Sequence, residues 1–455
     1  MTLTEKVLAR ASGKARVQPG DNVWVNVDIL MTHDVCGPGT IGVFKREFGK
    51  NARVWDKNKI VIIPDHYIFT ADSLSNRNVD ILRDFVREQG LPYFYDVIDD
   101  PNGHWIFDQS RGQLKKQFGS RYAGVCHTAL PAKGHTRPGE ILFGTDSHTC
   151  MAGAFNMFAT GIGNTDAGFI LGTGKLLVKV PPTMRFQLEG KMPKGVMAKD
   201  IILHVIGLIG FDGATYKAMQ YEGPGVYELN MDDRMTIANM AIEAGGKNGV
   251  FPADQKTFDY VDERTKRNGT KSTYEPVELD ADQDLVYDAL VNLDELEPTV
   301  AMHPDPGNRA LAKELEKISL DRAYIGSCTG GKTSDFLAFA EILKGRSVKI
   351  DTFGVPATPD VVFELQNTPM GDTTVWKALE SAGVQMTENA SCAACLGGPV
   401  DTFGRMNKPL NCISATNRNF PGRMGHKESK VYLASPYTVA ASALTGHITD
   451  PREYL

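Results

Sequence analysis

Gly326-Ser327-Cys328-Thr329-Gly330-Gly331 and, further along, Cys392-Ala393-Ala394-Cys395 place three thiols in the last third of the chain. Three cysteine thiolates suit three corners of an iron–sulfur cube, whereas a cluster that only carries electrons takes four. The remaining iron would stay open to a substrate oxygen, and an open position separates a catalytic metal site from a structural one. These residues therefore point to a hydro-lyase with an open iron as its Lewis acid. A C-x-x-C alone also reads as a zinc half-site or a thioredoxin-like redox pair. Zinc would bring a second C-x-x-C or paired histidines, and the sequence has neither. A redox pair caps a helix near the start of a small βαβ domain, which this chain is not. Cys328 sits in a Gly/Ser/Thr turn after an apolar run, a poor place for a core cysteine and a good one for a ligand. Cys36, Cys126, Cys150 and Cys412 read as small buried hydrophobes, with Cys36 and Cys150 in polar loops.

Dehydration also needs proton carriers and groups that hold carboxylates. Asp65-His66 and Asp146-Ser147-His148 set imidazoles beside carboxylates, and His33-Asp34 makes a third such pair. A carboxylate fixes a histidine's tautomer and raises its pKa, so the ring can protonate a leaving hydroxyl. His127 follows the apolar run that ends at Cys126. His104, His135, His204, His303, His426 and His447 have no carboxylate directly beside them at a strand end and receive no role. Arg418 and Arg423 flank a Phe-Pro-Gly turn, and their planar forks suit bidentate carboxylate binding.

Five short apolar segments deliver most of these groups. Val23–Val27 runs into the loop with His33-Asp34, and Lys59–Pro64 ends at Asp65-His66. Glu140–Phe143 precedes Asp146, Arg322–Ile325 precedes Cys328, and Leu410–Ser414 precedes Asn417–Arg423. Continuous apolar strands are buried on both faces, as in parallel α/β sheets, and ligands gather beyond the carboxyl ends of such strands. The five strand ends are expected to share one site. The N-terminus reads as a helix capped at Thr4. A helix over 234–245 would put Asn239 and Glu243 on one face. The glycines of 161–174 match no phosphate loop and read as close helix packing. Asp262–Lys271 reads as a solvated loop, and the Pro181-Pro182 break marks a boundary.

At 455 residues the chain exceeds a single core. Three α/β units are expected, over 1–182, 183–300 and 301–455. With 42% hydrophobic and 23% charged residues and a net charge of −6, nothing favours nucleic acid or an anionic membrane as partner. No apolar run approaches the roughly 18 residues of a membrane span. Seven cysteines, an odd number spread thinly behind no secretory leader, suit a reducing compartment. A cytoplasmic protein is expected, with the plastid stroma as the alternative.

Taken together, Gly326-Ser327-Cys328-Thr329, Cys392-x-x-Cys395, Pro64-Asp65-His66, Gly144–Thr149 and Asn417-Arg418-Asn419-Phe420-x-Gly422-Arg423 resemble the aconitase superfamily over nearly the whole chain. The resemblance implies three α/β domains around a [4Fe–4S] cluster held by Cys328, Cys392 and Cys395, with one iron not bound by cysteine. It implies that Asp65 and His66 protonate the departing hydroxyl, and that His127 with Asp146 and His148 with Glu243 line the site. Asn239 and Asn417 would lie close to the cluster, and Arg418 and Arg423 would bind substrate carboxylate. In single-chain members a fourth, mobile swivel domain follows the third; its absence here implies a separate small subunit that carries it. The similarity is closest to the branch that moves a hydroxyl between adjacent carbons of 2-isopropylmalate in leucine biosynthesis. Homoaconitase or a methylmalate-type hydro-lyase is the alternative. Gly330 departs from the family, where many members have Asn after Cys-Thr.

Overall fold

The computed structural model describes residues 1–97, 122–280 and 286–455, with the backbone alone of Ile106–Asp108 and Gln113–Lys115. His104 lies outside the described residues. Three sheets organise the chain. The first is parallel, in the order Tyr93–Phe94, Ile60–Ile62, Ile29–Thr32, Ile141–Gly144, Phe158–Gly161. The second is also parallel, in the order Asn248–Val250, Ala218–Glu222, Thr183–Glu189, Ala289–Asn292. The third has seven strands: Arg309–Leu311, Thr299–Ala301, Lys430–Leu433, Asn411–Ser414, Arg322–Ile325, Asp351–Gly354 and Gln385–Met386. Only its first two pairings are antiparallel. The fold is α/β, as the strand pattern predicts.

Strand periodicity decides where the core sits. Leu30, Ile60, Ile62, Ile141 and Phe143 of the first sheet pack outward with Phe44, Leu82 and Phe85 from the covering helices. Ile29, Met31, Val61 and Leu142, one residue out of phase, face inward. The third sheet behaves alike: Ala323, Ile325 and Ile413 face its own helices. Tyr324, Cys412 and Val431 join the inward cluster, which also takes in Phe186 and Tyr221 of the second sheet and the three candidate ligand cysteines. Successive side chains on a strand point to opposite faces. A run of apolar residues thus serves two layers at once, and the three sheets meet over a common interior. Each residue sent inward removes apolar area from water at about 25 cal/mol per Å².

Several local expectations shift. The first helix spans Leu3–Ser12, and its cap is Thr2, whose hydroxyl accepts from Glu5 N in a capping box, not Thr4. Asp262–Lys271 is largely helical, because the helix Gln255–Asn268 continues through it to a left-handed Gly269. The charges there cover a solvated helix face rather than a loop. Asn239 ends the helix Met231–Asn239, and Glu243 falls in the tighter turn Met240–Ala244, so the two do not share one helix face. The glycine-rich stretch does pack closely: a Cβ on Gly168 would strike Val43, and one on Gly172 would strike Phe48. Among the described residues no helix is long and apolar enough to cross a membrane.

Candidate active site and metal centre

Five strand ends converge, but the first is Ile29–Thr32 and not the expected Val23–Val27, which falls on the strand Asn22–Asn26 of a separate two-stranded antiparallel sheet with Lys175–Lys179. Ile29–Thr32 delivers His33-Asp34, Ile60–Ile62 delivers Asp65-His66, and Ile141–Gly144 delivers Asp146-Ser147-His148. From the third sheet, Arg322–Ile325 delivers Cys328 and Asn411–Ser414 delivers Asn417-Arg418. In parallel sheets these are the carboxyl ends, where side chains are free of the ladder and can point at a ligand.

Asp34 organises the proton-handling half. Its Oδ1 accepts from the backbone N–H of Asp65 at 2.9 Å and of His66 at 3.0 Å, and its Oδ2 from Tyr67 N at 2.6 Å. Asp65 is fully buried; its Oδ2 accepts from Cys126 N at 2.7 Å and its Oδ1 lies 2.7 Å from His66 Nδ1. His66 Nε2 is thereby turned toward Asp146 Oδ2, 3.6 Å away. Burial works against a charged His66 ring, but Asp65, through its charge and hydrogen bond, and then Asp146 carry it up to about 10. Asp146 Oδ1 meets His127 Nε2 at 2.9 Å, and it accepts from His148 N at 2.8 Å. Beyond it, His148 Nε2 lies 3.1 Å from Glu243 Oε1. Burial lowers His148, but the charge of Glu243 together with hydrogen bonds to Asp146 and Glu243 carries the ring up to about 9 despite Arg418 nearby.

Arg418 is tied down by its neighbours. Nε donates to Glu243 Oε1 at 2.6 Å and Nη2 to Ser147 Oγ at 3.0 Å. Its charge remains at the site, but two of its donors are engaged within the chain. Arg423 is half-buried, and its charge acts on Cys395 and Tyr67. Buried atoms without a hydrogen-bond partner include His33 Nε2, His127 Nδ1, Glu243 Oε2 and Arg423 Nε. An unmade buried hydrogen bond costs about 1–3 kcal/mol. Four of them around one site mark where a polar substrate would be received.

Cys328, Cys392 and Cys395 are free and buried, at 1%, 8% and 3% exposure. Ser327, just before the first of them, holds a left-handed φ of 72°, a conformation that costs a non-glycine residue of order 1–3 kcal/mol. Asn239 Nδ2 donates to Cys328 Sγ at 3.1 Å, and Asn417 Nδ2 does so at 3.4 Å. The Cys395 thiol donates to Asn417 Oδ1 at 3.4 Å, and the two amides meet at 3.2 Å. Cys392 is held by its backbone N–H on Asp65 O at 3.0 Å, which joins the thiol half to the proton-handling half. Hydrogen bonding from the Cys392 thiol, then the charges of His148 and His127, hold Cys328 well below the usual thiol range despite burial. Three convergent buried thiols with amide N–H groups aimed at sulfur fit an iron–sulfur cluster, whose sulfur ligands are tuned by such hydrogen bonds. Two other groups bring ligand-type atoms within 4.8 Å of one another: His33/Asp34/Asp65/His66 and His127/Asp146/His148. Their carboxylates are already committed to imidazoles and backbone N–H groups, so they read as proton networks.

A family model described as the aconitase family (aconitate hydratase) matches residues 5–314 and 308–446. The chain belongs to the aconitase family. The chloroplastic 3-isopropylmalate dehydratase large subunit of Arabidopsis thaliana is 57% identical over 460 residues, covering 100% of this chain and 87% of that protein. The 3-isopropylmalate dehydratase large subunit 1 of Methanopyrus kandleri is 43% identical over 457 residues, with 100% and 99% covered. The large subunit of Acetivibrio thermocellus is 40% identical over 455 residues, again with 100% and 99% covered. Membership of this family implies an iron–sulfur cluster, and the three thiols are where the chain can hold it.

The structure thus brings together the pairs expected from sequence: Asp65 with His66, His127 with Asp146, His148 with Glu243, and Asn239 and Asn417 with Cys328. Sequence reasoning assigned nothing to Asp34's grip on three backbone N–H groups, to Ser147 or to the buried Lys199 and Lys332. The His33-Asp34 pair was the signal for the first. Nothing local marks the lysines, because a lysine in an apolar helix, like Lys199, or at the cap before one, like Lys332, reads as solvated until its neighbours are known.

Proposed function

We propose that this chain, with a small subunit, interconverts 2-isopropylmalate and 3-isopropylmalate by dehydration and rehydration, a hydro-lyase step of leucine biosynthesis. The observation that carries the reading is the convergence of three buried thiols and the Asp65–His66 pair on one site. Full-length similarity to large subunits of that activity supports the substrate.

Cys328, Cys392 and Cys395 would hold a [4Fe–4S] cluster, one per large subunit, with one iron not bound by cysteine. When bound, it supplies Lewis acidity to the substrate hydroxyl and an adjacent carboxylate. The chain's residues do the rest. His66 keeps its proton at neutral pH because Asp65 holds Nδ1, and Nε2 presents that proton where a hydroxyl can leave. Asp146 faces the same ring and can steady its charge as the proton moves. Arg423 and the outer edge of Arg418 receive carboxylate, while Glu243 and Ser147 fix Arg418's plane. Holding both carboxylates in register orients the hydroxyl against His66 and lowers the barrier to its departure. The base for the neighbouring carbon would come from the small subunit, which carries the swivel domain.

We further propose the division 1–182, 183–300 and 301–455 as the three domains. The antiparallel strands of the third sheet, Thr299–Ala301 and the edge strand Arg309–Leu311, enter the chain across and just after that last boundary. Similarity to a chloroplastic relative favours the plastid stroma over a bacterial cytoplasm. Anaerobic reconstitution with iron and sulfide, followed by EPR and turnover of 2-isopropylmalate with a co-expressed small subunit, tests the reading. A three-iron signal that vanishes on iron addition, together with turnover, is the expected result. The reading fails if no iron–sulfur signal appears under any condition, or if metal-stripped protein is fully active.

A further inference from the structure

Lys199 lies in the helix Ala198–Ile209 and is 1% exposed. Its Nζ donates to Thr329 Oγ1 at 2.7 Å, Ala415 O at 2.9 Å and Thr416 O at 2.8 Å. All three ammonium protons are therefore spent, and none goes to a carboxylate. Among the described residues no acidic oxygen lies within the 4.0 Å of an ion pair. Thr329 follows Cys328 directly, and Ala415-Thr416 lead into Asn417-Arg418. Thr329 Oγ1 also donates to Ala415 O at 3.0 Å. The loops themselves are pressed together, since a Cβ on Gly330 would come within 2.6 Å of Ala415 O. Asn in place of Gly330 would have to move one loop from the other.

Lys332, three residues beyond Thr329, differs. It pairs with Asp335 at 2.8 Å and donates to Thr236 Oγ1 at 2.8 Å, on the helix that ends at Asn239. Its charge is balanced locally; that of Lys199 is not. A buried ammonium is costly unless a counter-charge lies near. Burial first, and then the charge of Lys332, push Lys199 down to about 7; the negative groups that work the other way are Asp335, Cys328 and Glu243. Of these, Asp335 is already paired with Lys332, and Glu243 with Arg418 and His148. The thiolate loop is the one left to balance it.

We propose that Lys199 is a positioning residue that clamps the Cys328 loop onto the Asn417–Arg423 loop and supplies the buried counter-charge of the iron–sulfur centre. The inference rests on the three-thiol cluster reading and adds to it a device for holding and tuning the cluster. Removing a group that supports a metal's ligands typically costs about 10–100-fold in metal affinity.

The test compares wild type, Lys199→Met and Thr329→Val, each as full chain with its small subunit, reconstituted anaerobically. Iron release to a chelator and the midpoint potential of the cluster are the readouts. Lys199→Met removes the charge and the clamp; it is expected to lose iron about tenfold faster and to shift the potential lower. Thr329→Val loosens the clamp and keeps the charge, so its iron release rises while its potential stays near wild type. A Lys199→Met protein that folds, loads and holds iron at the wild-type rate and potential overturns the proposal. If Lys199→Met does not fold, Thr329→Val decides: unchanged iron release overturns the clamp, and faster release supports it. Wild type that takes up no cluster would overturn the cluster reading itself.

Discussion

The two halves of the site are built on opposite principles. Around Asp34 and Asp65 both oxygens of each carboxylate already have a donor, and the imidazoles are locked in ring orientation before any ligand arrives. Around Cys328, Cys392 and Cys395 the sulfurs meet amide, hydroxyl and thiol groups, backed by a buried lysine with no carboxylate partner among the described residues. The carboxylates of the first half are satisfied within the chain, whereas the thiols of the second are arranged to receive an iron–sulfur cluster. Proton transfer needs fixed geometry and can be preorganised by hydrogen bonds. A cluster site must instead stay open to its metal and spread its negative charge over neighbouring donors.

The contrast can be broken by exchanging which half is damaged. Cys392→Ala should have the largest effect: no visible cluster absorbance after reconstitution, and turnover at background. Retained absorbance would refute this residue as a ligand. Asp65→Asn attacks the other half, with turnover expected to fall by about 10²–10⁴-fold while cluster absorbance stays. Were absorbance lost in parallel, the halves would be one structural unit and the distinction would collapse.

Glu243→Gln sharpens the electrostatic side. Glu243 raises His148 above its unfolded value, so this interaction stabilises the fold fully below about pH 6.5 and is lost as pH rises through about 9. In denaturant titrations the wild-type advantage over Glu243→Gln should be larger at pH 6 than at pH 10. An advantage that does not vary with pH would mean the pair is not coupled in this way. Ser147→Ala should do least. It removes one hydrogen bond to Arg418, about 0.5–1.5 kcal/mol, which corresponds to a KM increase of about two- to tenfold with kcat nearly unchanged. A large fall in kcat instead would move Ser147 from orienting Arg418 into the reaction itself.

Residue type and spacing in the sequence already determined the chemistry on offer: three thiols in turns, carboxylate–histidine pairs after apolar runs, and arginines around a glycine turn. They also determined the α/β class, since apolar β-branched runs bounded by Gly and Pro can be buried on both faces only in such sheets. Local propensity misplaced the first cap at Thr4, although Thr2 is the residue whose hydroxyl reaches Glu5 N. It also left Asp262–Lys271 as a loop, because charge density reads alike in a loop and on a solvated helix face. Tertiary structure alone decided which partners meet. His148 finds Glu243 across 95 residues, and Arg418 finds the same carboxylate across 175. Asp34 closes on the next strand's backbone, and Lys199 reaches two loops more than 100 residues away. Hydrogen bonds and counter-charges depend on distance in space, which a linear pattern does not contain. The sequence named the groups, and the packing of three sheets on one interior determined what each is worth.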